Sequence, residues 1–356
     1  MRTPLPPQKF KKIRIVSLNR RNVGLTTLLL GLGLNTLCNF SPWIYEKFYL
    51  NGLFQLIRIV HDYTLGMLPI PSIYLIAPFF FYYFFRGHCG SVKLFLVALV
   101  TCLTWTIALF YLLWGINYTQ PSLIETLELT SAHIDSTYIK ETFLQQTDLV
   151  SALAVENINY PSNKTIENEI RDQQENLLSQ WGVPTIGRVR IRKLPAGSLL
   201  RLRTSGIYIP HAFEGHIDGG LYYKQHPFTI AHEMAHGYGY GDESVCNFVA
   251  YLTCIESKYP PVVYSAELAY WRYLARYYAY HYPEEWKDLE LSPALRADLK
   301  AIREHISRYK DIMPIMRDVI YDKYLKSHGV KAGIKSYDQM IELIAAYRQK
   351  EYSEGN

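Results

Sequence analysis

The chain has 356 residues, of which 49% are hydrophobic and only 19% charged, and it carries a formal net charge of +5. So low a charged share is unusual for a soluble protein, and five cysteines supply no disulfide framework. Composition therefore argues against a disulfide-stapled domain and against a strongly basic nucleic-acid binder, and the apolar excess lies in the first third.

Residues 1–22 hold Arg2, Lys9, Lys11, Lys12, Arg14, Arg20 and Arg21 and no acid. Standing directly before an apolar segment, they mark a cytoplasmic membrane flank rather than a nucleic-acid site. Three apolar stretches follow within 23–114, at about 23–40, 65–85 and 92–114. Each approaches the roughly 20 residues that cross a bilayer. The first holds three glycines, and the second contains Pro69, Pro71 and Pro78, kinks that neighbouring spans can accommodate. From Leu94 to Trp114 the third carries no charge. The region is read as three transmembrane helices, with the lipid bilayer as a partner. Ser41 to Tyr63 fits an outer loop or interfacial helix. The linker with Arg86, His88 and Lys93 lacks acids and belongs on the cytoplasmic side. Three crossings place residues 115–356 outside the cytoplasm.

That outer part is expected to be α+β and mostly helical, with a small β-sheet. Ile134 to Ile158 and Thr165 to Trp181 show helical spacing, broken by Pro161-Ser162-Asn163. Arg188 to Arg192 alternates as a half-buried strand does, and Gly206 to Pro210 is a second strand closed by its proline. The arginines at 188, 190, 192, 201 and 203 read as a solvated strand face. Gly215 to Gly220 is a Gly-rich turn, and helical patterns follow from Phe228, then around Ser244–Ser257, Val263–Tyr280, Ser292–Arg308, Met313–Ser327 and Tyr337–Arg348. Ser292 before Pro293 is a helix start signal.

The chemistry is concentrated in Pro227-Phe228-Thr229-Ile230-Ala231-His232-Glu233-Met234-Ala235-His236-Gly237. Residues i and i+4 of a helix share a face, so His232 and His236 can present two imidazoles to one ion. Zn2+ is the ion such a set suggests, and it brings the pKa of a water to about 7. Glu233 then projects beside the site as the general base and can pass its proton to a departing amine. Downstream, Asp242 suits a helix N-cap. Glu243 opens that helix as the expected third ligand, with Asp242, Cys246 and His216 as alternatives. Asn247, one turn on, can steady a ligating histidine.

HExxH followed by Glu-x-x-x-Asn on the next helix resembles the gluzincin metallopeptidases, whose pattern is HExxH and then Glu-x-x-x-Asp with the glutamate as third ligand. Here the spacing from His236 to Glu243 is short, and Asn247 stands in place of the aspartate. Over nearly the whole chain, the motifs Gly206–Pro210, Glu214, Pro227–His236, Asn247–Leu252, Tyr324-Leu325-Lys326 and Ser336-Tyr337 are similar to an uncharacterised family of bacterial membrane proteins with three spans and a C-terminal HExxH domain. In that family a more acidic stretch precedes Asn-Phe, where this chain has Val245. The resemblance implies a bacterial inner-membrane protein. In zincins generally, a strand before the HExxH helix borders the cleft and pairs with extended substrate, which would be Gly206–Pro210 here. Glu214 and His216 would then lie on a loop near the metal and either bind substrate or steady the site, unless they are plain surface loop residues. Tyr321 and Tyr324 are candidates to stabilise the oxyanion. The expected function is a membrane-anchored zinc metallopeptidase acting on a peptide or protein. The alternatives are an inactive zincin-like scaffold or sensor, or a membrane transport or assembly component.

Overall fold

In the computed structural model, which describes residues 20–86, 91–130, 134–154, 160–313 and 339–354, the apolar third is built on α1 (Arg20–Phe40) and α4 (Val92–Leu113). Both are long and apolar enough to cross a bilayer. Side chains such as Leu29, Leu30, Val97 and Leu103 stay largely exposed. The two helices lie side by side and run in the same direction. Gly24 faces Trp105, Gly31 faces Tyr111 and the Ala108 carbonyl, and Cys38 clusters with Trp114. A Cβ at Gly24 would stand 2.8 Å from Trp105 Nε1, so this glycine lets the helices approach.

Parallel helices require a return path between them. It runs through a π-helical segment Tyr45–Phe54, α2 (Gln55–Asp62), a 3-10 turn at Leu65–Met67 and α3 (Ile73–Phe85). Phe85 at the end of α3 packs on Phe95 near the start of α4. The middle stretch expected to span over 65–85 forms the second half of this return path. Its helix has 13 residues, about 20 Å at 1.5 Å per residue and short of a bilayer core of roughly 30 Å. Pro69 and Pro71 account for the shortening, because a residue before proline is pushed out of the helical region, and Leu68 is extended (ψ 147°). α2 is inside out: Gln55, Arg58, His61 and Asp62 are buried, while Leu56 (60% exposed) and Val60 (57%) face outward.

The globular part joins α5 (Ser136–Leu153), α6 (Asn163–Gln180), β1 (Arg190–Leu194), β2 (Gly206–Ile209), β3 (Glu214–Asp218), α7 (His226–Gly237), α8 (Glu243–Ile255), α9 (Pro260–His281), α10 (Pro293–Ser307) and α11 (Gln339–Glu354). One continuous core holds Phe143, Ile170, Met234, Phe248, Tyr270, Trp271 and Ile344. Ser292 caps α10 by accepting from Leu295 N, as its position before proline predicts. The sheet order is β1-β3-β2, with β1 parallel and β2 antiparallel to β3, so β2 is an edge strand.

Two sequence expectations change here. The stretch from Glu214, read as loop and turn, is the buried central strand, and the chain turns only at Gly219 and Gly220. Gly215 serves packing: a Cβ there would lie 2.5 Å from Ile191 Cδ1 and 2.9 Å from Glu233 Cβ. Nor are the strand arginines all solvated. Arg192 is mostly buried, donating through Nε to Glu214 at 2.9 Å and through Nη2 to the carbonyls of Gly66 (2.9 Å) and Leu68 (2.8 Å).

Candidate metal centre

The centre is assembled by α7, its C-terminal turn and α8. Pro227 sits in the first turn of α7, where its missing N–H costs nothing. The helix stops at Gly237, and Gly239 adopts a left-handed backbone (φ 106°). This turn brings the Tyr240 carbonyl back to His236, 2.8 Å from Nδ1. Asp242 then caps α8, accepting from Ser244 N at 2.8 Å and Val245 N at 3.1 Å. That cap fixes Glu243 as the first residue of α8.

Glu243 Oε2 lies 3.1 Å from His232 Nε2 and 3.8 Å from His236 Nε2. One ligand atom from each of His232, His236 and Glu243 falls within 4.8 Å of the others, the spacing of a three-ligand metal set. The far ring nitrogens are both engaged. His232 Nδ1 is 2.9 Å from Asn247 Oδ1, and the Asn247 amide donates from Nδ2 to Tyr273 Oη at 3.2 Å. Each Nδ1 faces an oxygen acceptor, so it carries the proton, and each Nε2 points its lone pair at the shared space. Cys246 Sγ also approaches His236 Nδ1 at 3.3 Å, but burial pushes its thiol up to about 11, so it stays neutral.

Charge is unevenly distributed. Burial raises the Glu243 carboxyl, yet the two imidazoles outweigh it and hold Glu243 well below the carboxylate range. Burial opposes a charge on His236, whereas Cys246 and Glu243 draw its value well above normal. Glu233 differs. It is 4% exposed, and its Oε2 has no partner among the described residues. Burial lifts its carboxyl to about 7, against the downward pull of His232 and His236 and with a further push from Glu243. Gly206 makes room for it, since a Cβ there would stand 2.5 Å from Glu233 Oε1.

The structure thus brings together His232, Glu233, His236, Glu243 and Asn247. It sets Glu214 and His216 elsewhere. Gly215 faces Glu233, and side chains alternate along a strand, so its two neighbours point away from α7. Glu214 is tied to Ser72 N (2.8 Å), Ser72 Oγ (3.0 Å) and Arg192. Burial lowers the His216 value, which keeps that ring neutral. Of the alternative third ligands, Asp242 is committed to capping. Tyr321 and Tyr324 lie outside the described residues.

Three contributors escape sequence reasoning: the Tyr240 carbonyl, Tyr273, and Trp114, whose Nε1 donates to the His236 carbonyl at 2.8 Å. Among 30 tyrosines nothing singles out Tyr273. The Trp114 contact links the end of α4 directly to the helix bearing both histidines.

No curated protein and no solved structure matches the chain. Residues 49–345 match a family model described as "Protein of unknown function (DUF3810)". That match takes in α4, the sheet and the α7–α8 pair, and the chain belongs to the DUF3810 family.

Proposed function

We propose that this chain is a membrane-anchored, zinc-dependent metallopeptidase with a zincin-like catalytic part, hydrolysing peptide bonds with Glu233 as general base. One observation carries the reading. Two imidazole Nε2 atoms and the Glu243 carboxylate converge, with both Nδ1 atoms held, beside a buried Glu233 oxygen that lacks a partner. Two histidines and a carboxylate are a donor set that zinc takes in catalytic sites. When bound, zinc supplies Lewis-acid polarisation and eases the ionisation of water.

The protein's own groups do the rest. Asn247 and the Tyr240 carbonyl keep both rings in the orientation and tautomer that point Nε2 forward. Glu233, at about 7, can take a proton from the attacking water and return it to the leaving amine. The edge strand β2 starts at Gly206, against Glu233, and offers backbone donors and acceptors to an extended polypeptide. The basic cluster before α1 supports a cytoplasmic N-terminus, with residues 115–356 on the other side. Similarity to bacterial membrane proteins favours the inner membrane of a bacterium.

The test is metal content of the purified full-length protein, wild type beside Glu243→Ala. About one zinc per chain in the wild type and a clear loss in the variant are expected. A folded wild type that takes up no zinc would overturn the reading.

A further inference from the structure

The depth of the globular part along α4 can be measured residue by residue. Trp114 at the end of α4 reaches the His236 carbonyl, while His211 Nε2 lies 3.0 Å from the Thr106 carbonyl. Thr106 is eight residues below Trp114, about 12 Å along the helix. Ser72, just before α3, bonds at the same level, its Oγ donating to the Ala212 carbonyl at 3.2 Å. From Val92 to Thr106 is about 21 Å of helix, close to the roughly 20 Å length of α3. α3 is thus a short return because the globular part meets it partway. If α4 fills a hydrocarbon core of roughly 30 Å from Val92 upward, Pro210–Phe213 and Ser72 lie about 10 Å beneath the nearer surface.

Side-chain exposure fits this depth. α2 turns its charges inward, where Arg58 pairs with Asp62 and Asp62 accepts from Arg188 N at 2.7 Å. Outward it shows Leu56 and Val60, and Tyr63, Met67 and Ile70 continue the apolar surface. In water such a helix would be the wrong way round; against lipid it is the stable arrangement. Its outer face continues the exposed apolar faces of α1 and α4.

β2 links this depth to the centre. Gly206 abuts Glu233, the Tyr208 ring is 5.9 Å from the Trp114 ring, and His211 reaches Thr106. From Tyr208 one extended step reaches Ile209, and the 3-10 turn Pro210–Ala212 carries the chain on to His211, whose side chain covers the rest of the roughly 12 Å from Trp114 to Thr106. The strand therefore descends alongside α4, from the catalytic glutamate towards the lipid. No strand covers its outer edge among the described residues, and Ile207 is 42% exposed.

We propose that the edge of β2 receives the membrane-proximal stretch of polypeptides anchored in the same bilayer, and that these are the substrates of the centre. This rests on the peptidase reading. The bond presented to Glu233 would stand within about five residues of the membrane-embedded part of the substrate.

The experiment uses full-length protein carrying Glu233→Gln in vesicles of phosphatidylethanolamine and phosphatidylglycerol. A photoreactive amino acid is placed in turn at Val60, Ile207 and Tyr352. The probe is a synthetic polypeptide with a leucine–alanine span and a polar unstructured tail. Val60 should label lipid acyl chains severalfold more than Tyr352. Ile207 should label tail residues beside the span, and a Gly-Ser insert after the span should move the labelling onto the insert. Equal lipid labelling at Val60 and Tyr352 would overturn the proposal. So would Ile207 adducts that scatter along the tail or stay on the same tail residues despite the insert. If Ile207 labels as expected while the zinc-loaded wild type cuts neither the anchored probe nor its free tail, peptide hydrolysis falls and membrane-proximal binding stands.

Discussion

Strand β3 and the helix pair α7–α8 each bury two carboxylates, and they treat them in opposite ways. On β3, Glu214 accepts from both Ser72 donors and from Arg192, and Asp218 accepts from the backbone N–H groups of Gly197, Leu199, Leu200 and Gly220. On the helices, Glu243 faces two imidazole nitrogens across a space that can hold an ion, and Glu233 keeps an oxygen with no partner among the described residues. A buried carboxylate ringed by donors fastens the chain. One left open at a cost in solvation is where a functional role is sought.

The sharpest way to break that contrast is Glu233→Gln. On the proposed mechanism the change keeps shape and removes the base, so zinc content should stay at the wild-type level while peptidase turnover falls by roughly 10³-fold. Retained turnover would show that Glu233 is as structural as Asp218.

Asp218→Asn tests the other side. Burial pushes the Asp218 carboxyl up, but its four N–H donors win and hold it below the ordinary value. A depressed folded-state value means that ionisation stabilises the fold above the unfolded carboxyl value, about 4, and that this is lost as pH falls through the folded value. The variant should lose roughly 3 kcal/mol at pH 7, or about 6–12 °C in Tm. The gap to wild type should persist at pH 5 and close below pH 4, as thermal melts across that range would show. A gap that does not depend on pH would mean the carboxylate charge is not what holds Gly197 to Gly220.

Asn247→Ala lies between the two regions in kind, because Asn247 fastens a ring that itself faces the open space. Without it, the His232 ring is free to turn, and zinc affinity should fall about 10- to 100-fold, read by competition with a chelator. Unchanged affinity would make the Tyr273-Asn247-His232 chain packing alone.

What could be read from the sequence follows the same division. His232, His236, Glu243 and Asn247 were legible because helix periodicity alone places i and i+4 on one face, and Asp242 announced its cap. β3 was not legible. Its glycines look like a turn, whereas Gly215 exists to admit Glu233 from a helix that follows it in sequence. α2 was only half legible for a related reason: its polar residues face inward, so Ser41 to Tyr63 reads equally as an outer loop or an interfacial helix. The middle apolar stretch reads as one long apolar run from about residue 65 on composition, whereas Pro69 and Pro71 confine its helix to Ile73–Phe85.

The smallest expected effect concerns the joint between the long apolar helices and the centre. Trp114→Phe keeps an aromatic ring against Tyr118 and Tyr208 but removes the Nε1 donor to the His236 carbonyl. That carbonyl retains Gly239 N at 3.0 Å, so it is not orphaned, and the loss should be about 1 kcal/mol of stability. If the bond merely seats α4 against α7, zinc affinity and turnover should stay near wild type while Tm drops slightly. A fall in zinc affinity comparable to that of Asn247→Ala would instead mean that α4 sets the position of His236. The long apolar helices would then belong to the candidate centre rather than only carry it.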